Sequence, residues 1–478
     1  SVRPNGSAKV LGIKGYADGV IVCSDTGIFF SQDGTSWISI SKQSVHSSGD
    51  NYTTFTGRTD LARTNQSQIS FSLFEGLSDY GEILICDGAN KPYFFRMEGT
   101  GALNTRTFFA GEITVDGTVA PRVGTIHDKH FVVSGADSTE NTIYYSHTND
   151  PDNFSGTGAG SIVLEDQVVG LASFRSDLII FCKNSIFKLL NINDSNSIVV
   201  QPVTKNVGCM DAQSIQEIAG DLLFLSPDGL RTVAGTVRIG DVELGTVSRP
   251  IQPTIKSIAA NIDNLDITSA VLRSKSQYRL FYNTDGTANA ASKGLIATLT
   301  NEGFQYSETL GIKATALTSD LDVDGIEQTW HGDTDGYIYN HDEGNSFDYG
   351  GIAADVTAAY QTPNLDFGDV GTKKTMRYVR ISVSPEGEIR PTLRVRYDYE
   401  DPLIAQPLDY ILDSIPLPSV FGSGIFGANV FGASSDPLIR QTVQGSGHTV
   451  SFIVTSSDQQ SPYTVNGLYI DYTPSGRR

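Results

Sequence analysis

Apolar residues in this chain come in short runs closed by Gly, Asn or Asp, and pairs of such runs recur along most of its length. The stretch GVIVCSDTGIFFSQDGTSWISI at 19–40 shows the unit. Two apolar runs meet at Asp25-Thr26-Gly27, and a second turn at Asp33-Gly34 is closed by Trp37. The pattern predicts hairpins at EILIC and PYFFRM around Asp87-Gly88, HFVVSG and TIYYSH around 136–141, and LIIF and SIFKLL around Lys183-Asn184. It predicts others at LLFL and LRTVAG around Asp228-Gly229, YRLFYN and GLIATL across 284–293, and EQTWHGDTDGYIYNH. Asp-Gly recurs at turns because Gly accepts positive φ and Asp bonds the amides of its own turn.

Taking Val20, Ile83, Phe131, Ile179, Leu223, Leu280 and Trp330 as anchors, successive separations run from 44 to 63 residues. Four short strands with their turns occupy about 40–50 residues, one blade of a β-propeller. Six or seven blades are expected, since tandem sandwiches would take roughly 100 residues each. One helix is predicted at TIKSIAANIDNL, where Ile255, Ile258, Ile262 and Leu265 fall at helical spacing behind Pro253.

Near residue 350 the texture changes. KKTMRYVRISVS and PTLRVRYDYE alternate with period two, and HTVSFIVTSS and VNGLYIDYT follow after a Pro- and Gly-rich stretch. The expectation is therefore an all-β chain: a six- or seven-bladed β-propeller over 1–350, then a small antiparallel β-sandwich over 351–478 with a long loop at 402–437.

Length and charge narrow the picture. A chain of 478 residues can bury a large core without staples. Its four cysteines lie in or beside apolar runs, with no C-x-x-C pair, and read as small buried hydrophobes. Lys and Arg number 34 against 54 Asp and Glu, and residues 1–350 hold 24 of the basic and 41 of the acidic groups. A surface so acidic repels nucleic acid and anionic membranes. No run approaches the roughly 18–20 apolar residues of a membrane span. The longest, LIIFCKNSIFKLL, is broken by Lys183, Asn184 and Lys188, and no secretory leader opens the sequence.

Candidate chemistry is sparse. SQDGTSW at 31–37 resembles a shortened Asp-box of sialidase-like propellers, a structural turn in which Asp33 caps amides and Trp37 packs between strands. Glycoside hydrolysis needs two carboxylates across a cleft, or a tyrosine with clustered arginines, and no segment marks either. Asp320, Asp322 and Asp324 with Gly325 make the first half of a calcium loop, but His331 stands where the bidentate Glu belongs. The alternatives are a solvated acidic turn and a weak Ca²⁺ site; no other cofactor is expected. The seven histidines are scattered and read as surface residues. Phe421, Phe426 and Phe431, each followed by Gly, recur every five residues, a period of neither helix nor strand. They form either a loop tucked against its own domain or an apolar patch covered by a neighbouring subunit.

Several segments together resemble the propeller-bearing nozzle and hub proteins of short-tailed bacteriophage tails. They are ILICDGANKPYFF (83–95), IYYSHTNDPDNF (143–154), VVGLASFRSDLIIFCKNSIFKLL (168–190), VGCMDAQSIQEIAGDLLFLSPDGLRTV (207–233) and VNGLYIDYTPSGRR (465–478). The Phe-Gly run is similar to that family's Tyr/Phe-Gly loop. The resemblance implies a non-enzymatic structural protein of the virion tail, a homohexameric ring or tube through which DNA passes during ejection without specific binding. It also implies portal or adaptor proteins, other tail proteins and fibres as partners. Phe421, Phe426, Phe431 and the basic strand residues Lys373, Lys374, Arg377 and Arg380 are the expected subunit contacts. The competing readings are a carbohydrate-binding adhesin propeller and a glycan-cleaving tail enzyme.

Overall fold

A computed structural model describes residues 3–4, 8–25, 27–40, 44–46, 69–76, 79–194, 196–234, 246–284, 293–322, 324–349, 352–412 and 438–477. The chain divides into two compact units, Ser1–Asp342 and Glu343–Arg478, so the boundary falls before the expected 350/351.

Among the described residues of the first unit seven antiparallel sheets follow one another along the sequence, four of them with four strands, two with three and the second with five. The inner strands are Val10–Tyr16, Ser70–Phe74, Val123–His127, Val168–Phe174, Gln216–Ile218, Leu265–Leu272 and Ala316–Leu321. Each inner strand from sheet 2 to sheet 7 packs beside the next, the fourth and fifth through the 3₁₀ turn Ala212–Ser214. Ala316–Leu321 then packs against Val10–Tyr16, bringing the last sheet back to the first. At Gly12 the first sheet meets the second so closely that a Cβ would lie 2.8 Å from Ile69 Cβ and from Phe71 Cε2. The unit is all-β and propeller-like.

Between sheets lie apolar layers. Ile21 and Phe30 of sheet 1 pack with Phe95 and Phe108 of sheet 2, and Val132 and Ile143 of sheet 3 with Ile180 and Leu189 of sheet 4. Charged pairs bridge sheets as well: Arg106 of sheet 2 to Asp18 of sheet 1, and Lys9, just before sheet 1, to Asp266 of sheet 6. All six hairpins predicted above are present. Others were missed, among them the hairpins closed at Tyr16–Gly19, Phe174–Asp177 and Leu272–Gln277, and one in which His127 and His130 flank a two-residue turn where Asp128 and Lys129 take φ of 45° and 65°, the geometry usually given to Asn-Gly.

The predicted helix is shorter than expected. It spans Gln252–Ala260 and buries Ile255 and Ile258 against Leu225 and Leu280. Ile262 belongs to a separate 3₁₀ turn, and Leu265 opens the inner strand of sheet 6. The four cysteines are free and buried, and burial pushes the Cys182 and Cys209 thiols up to about 12. Among the described residues no helix is long and apolar enough to cross a membrane.

Among the described residues the second unit opens with a short hairpin, Phe347–Tyr349 with Ile352–Ala354, and has two four-stranded sheets around one core. The first runs Val356–Gln361, Val450–Asp458, Thr392–Tyr397, Tyr410–Ile411. In the second, Thr372–Pro385 is central, with Leu438–Thr442 and Ser446–Gly447 on one side and Tyr463–Arg477 on the other. Val379, Ile381, Leu393, Val395 and Phe452 are fully buried between them. Phe421, Phe426 and Phe431 lie outside the described residues.

Candidate functional site

The inner strands of the first unit surround a cavity of about 310 Å³, lined by Lys14, Ile69, Gln213, Thr268, Ser319 and Asp320 among others. Strands that alternate apolar and polar residues turn apolar side chains toward neighbouring sheets and leave polar ones for this space. Those polar groups are committed to each other. Gln213 Nε2 donates to the Ile69 carbonyl at 3.0 Å, joining the turn before sheet 5 to the start of sheet 2. Gln216 Nε2 donates to the Ser269 carbonyl at 3.0 Å, Ser269 Oγ donates to the Gln213 carbonyl, and Tyr278 OH to that of Ser214 at 2.9 Å. Lys14 pairs with Asp320, whose Oδ2 also accepts from Gly15 N at 2.8 Å and Thr318 Oγ1 at 2.6 Å. Side chains and carbonyls of different sheets thus lock the inner strands together.

This geometry favours the acidic-turn alternative over the weak calcium site. Asp320 serves the sheet 1 to sheet 7 junction, and Asp322 Oδ1 caps its own turn by accepting from Asp324 N at 2.9 Å and Ile326 N at 2.8 Å. Among the described residues no three His, Cys, Asp or Glu side chains are placed to hold a metal ion. The Asp-box behaves as the sequence implied: Asp33 Oδ1 accepts from Ser36 N at 2.7 Å and Thr35 N at 2.8 Å, bonds that hold its carboxyl well below the usual range.

The histidine reading is corrected. His127, His130 and His341 are buried, each with a hydrogen-bond partner. His130 and His341 have both ring nitrogens bonded, which makes their burial tolerable, while His127 is bonded through Nδ1 to Ser173 Oγ at 2.9 Å. At the junction of sheets 6 and 7, Arg279 donates to His341 Nε2 at 2.7 Å and to Asp342 Oδ1 at 2.8 Å. The arginine can only donate, so His341 carries its proton on Nδ1, 3.1 Å from His331 Nδ1. Burial, with His341 beside it, pushes His331 down to about 3, and burial pushes His341 down to about 4. Burial opposes the charge of Asp342, but Arg279 and Lys275 hold its carboxyl well below the usual range. Strand pairing in sheet 7 sets His331 beside His341 and Asp342, and the packing of sheet 6 against sheet 7 adds Arg279; no local motif announces them.

Elsewhere, Glu82 on sheet 2 is fully buried with Oε1 lacking a hydrogen-bond partner. Burial and the carboxylates of Asp152 and Asp150 raise it to about 8, against the pull of Arg96 at 3.5 Å.

No protein-family model matches the chain, and no curated protein matches it. Among solved structures the chain is similar to the extracellular domain of a one-component system from B. thetaiotaomicron, with 11% identity and a TM-score of 0.40. That match covers 72% of this chain and 41% of the other. The chain is also similar to the WD40 domain of SCAP from fission yeast, with 9% identity and a TM-score of 0.27, over 74% of this chain and 80% of that one.

Of the basic residues expected at subunit contacts, Lys374 is misplaced there. It is 2% exposed, with its Nζ donating to the carbonyls of Asp369 and His448. Arg377 donates to Thr473 Oγ1 at 2.6 Å, and Arg380 pairs with Asp471 at 2.8 Å. Lys373 and Arg377 are exposed and Arg380 is half-buried.

Proposed function

We propose that the chain is a non-enzymatic structural protein of a short-tailed phage tail, a nozzle or hub that assembles as a homohexameric ring. In this reading the seven sheets are the blades of a seven-bladed β-propeller, and the two four-stranded sheets of Glu343–Arg478 form a β-sandwich. The observation that carries it is the distributed sequence resemblance over 83–95, 143–154, 168–190, 207–233 and 465–478. It is supported by the placement of every one of these segments in the sheets. The cavity between the inner strands, at about 310 Å³, has room for roughly ten waters at about 30 Å³ each. DNA would therefore pass between copies, past an acidic surface that favours transit over adhesion. Portal or adaptor, other tail proteins and fibres would seat on the ring.

The test is the mass and projected shape of the native assembly, by mass-resolved chromatography with electron microscopy of the same peak. Six-fold rings with an open channel are expected; a monomer at every concentration would overturn the reading. A cleft of about 280 Å³ between sheets 1 and 7, lined by Trp330, Gln32, Gln328 and Asp18, favours a second reading as a sugar-binding adhesin. Saturable, specific binding on a glycan array would support it.

A further inference from the structure

One side of the second unit is left open. Both of its sheets end there in strands that, among the described residues, pair on one side only: Val356–Gln361 with Val450–Asp458, and Tyr463–Arg477 with Thr372–Pro385. Between these two edges lies an apolar slot of about 320 Å³, lined by Ala358, Tyr360, Val454, Tyr463 and Val465. Tyr360 is 54% exposed although it stands opposite Val454, which is 2% exposed and part of the core. Unpaired edge strands beside open apolar surface are sites for another chain to join.

Charge identifies the occupant. Asp355, Glu386 and Asp458 rim the slot, Glu386 N bonding the Pro462 carbonyl at 3.0 Å, and among the described residues no Lys or Arg lines it. The opposite side of the same unit ends in Tyr410–Ile411 and Leu438–Thr442, where Ile411 is 63% and Leu438 38% exposed. There Arg390 and Arg440 are exposed; Glu388 is exposed beside them, and Asp409, next to Tyr410, is paired with Arg394 and Arg396, so the arginines outnumber the acids. One edge is apolar and acidic, the other apolar and basic, and each copy carries both on opposite sides.

We propose that this slot receives the Arg390/Arg440 edge of a second copy, head to tail. Such a heterologous contact repeats from copy to copy and closes a ring when its rotation allows. The inference rests on the ring reading and names the surface that builds it.

The test uses full-length chains and two single-edge variants, Tyr360→Asp in the slot and the double Arg390→Glu/Arg440→Glu on the opposite edge, with Ala358→Lys as a second slot variant. All alter exposed positions, and unchanged thermal midpoints verify folding. Each variant alone should be monomeric, its self-association weakened at least about tenfold. An equimolar mixture of Tyr360→Asp and the double arginine variant should give a 1:1 heterodimer, because one intact slot and one intact edge remain. Variants that still form wild-type rings would overturn the slot while leaving the ring reading intact. Dimers of the double arginine variant alone would point to a slot-to-slot contact and overturn the head-to-tail arrangement. A wild-type chain that is monomeric throughout would overturn both.

Discussion

His331 and His341 carry the clearest residue-scale consequence. Both are held neutral in the folded chain, with values depressed to about 3 and 4 from an ordinary 6.5. The unfolded chain therefore binds more protons as pH falls through 6.5, so this contribution to stability is present above about 6.5 and lost progressively down to about 3. In His331→Asn, which keeps an acceptor for His341 Nδ1, the stability–pH slope between 6 and 4 should be shallower by up to about 1.4 kcal/mol per pH unit. Urea unfolding at a series of pH values measures it, and an unchanged slope would mean the pair is not buried neutral. Lys374 shows why single residues escape a sequence reading. The strand Thr372–Pro385 is bulged between Thr372 and Lys374 and again between Met376 and Tyr378. A bulge resets which side chains face inward, so which of the neighbouring Lys373 and Lys374 points into the core is not readable from the alternation. The charge of Lys374 is tolerated inside because two carbonyls receive it.

At the scale of elements, hairpins were legible because apolar runs and Asp-Gly turns are local signals. The Asp128-Lys129 turn was not, since neither residue advertises the positive φ it adopts. The helix was overextended because Ile262 and Leu265 keep helical spacing while belonging to a turn and a strand. Packing between elements sets a different demand at Gly208, between sheets 4 and 5. A Cβ there would lie 2.1 Å from the Lys183 carbonyl oxygen, a backbone atom of the sheet 4 hairpin, while Cys209 N bonds the Cys182 carbonyl at 2.9 Å. Gly208→Ala should destabilise the chain by about 1–3 kcal/mol, read from its denaturant midpoint. A wild-type midpoint would mean that the 183–184 turn moves aside freely.

The whole molecule consists of two units with separate cores, the second built around Val379, Leu393, Val395 and Phe452. Residues 343–478 expressed alone should therefore unfold in one cooperative transition, seen by far-ultraviolet circular dichroism with temperature. A gradual, non-cooperative loss of signal would show that this core needs the first unit. The sequence by itself determined the all-β class, the hairpins, the Asp33 cap, the buried cysteines and an acidic surface, because each depends on neighbours a few residues apart or on composition. Only the tertiary structure decided the number and closure of the sheets, the commitment of Asp320 to Lys14, the Arg279–His341–His331 chain and the open slot beside Tyr360. These join residues up to 306 positions apart, and long-range pairing follows from how strands stack and register, which no local pattern encodes.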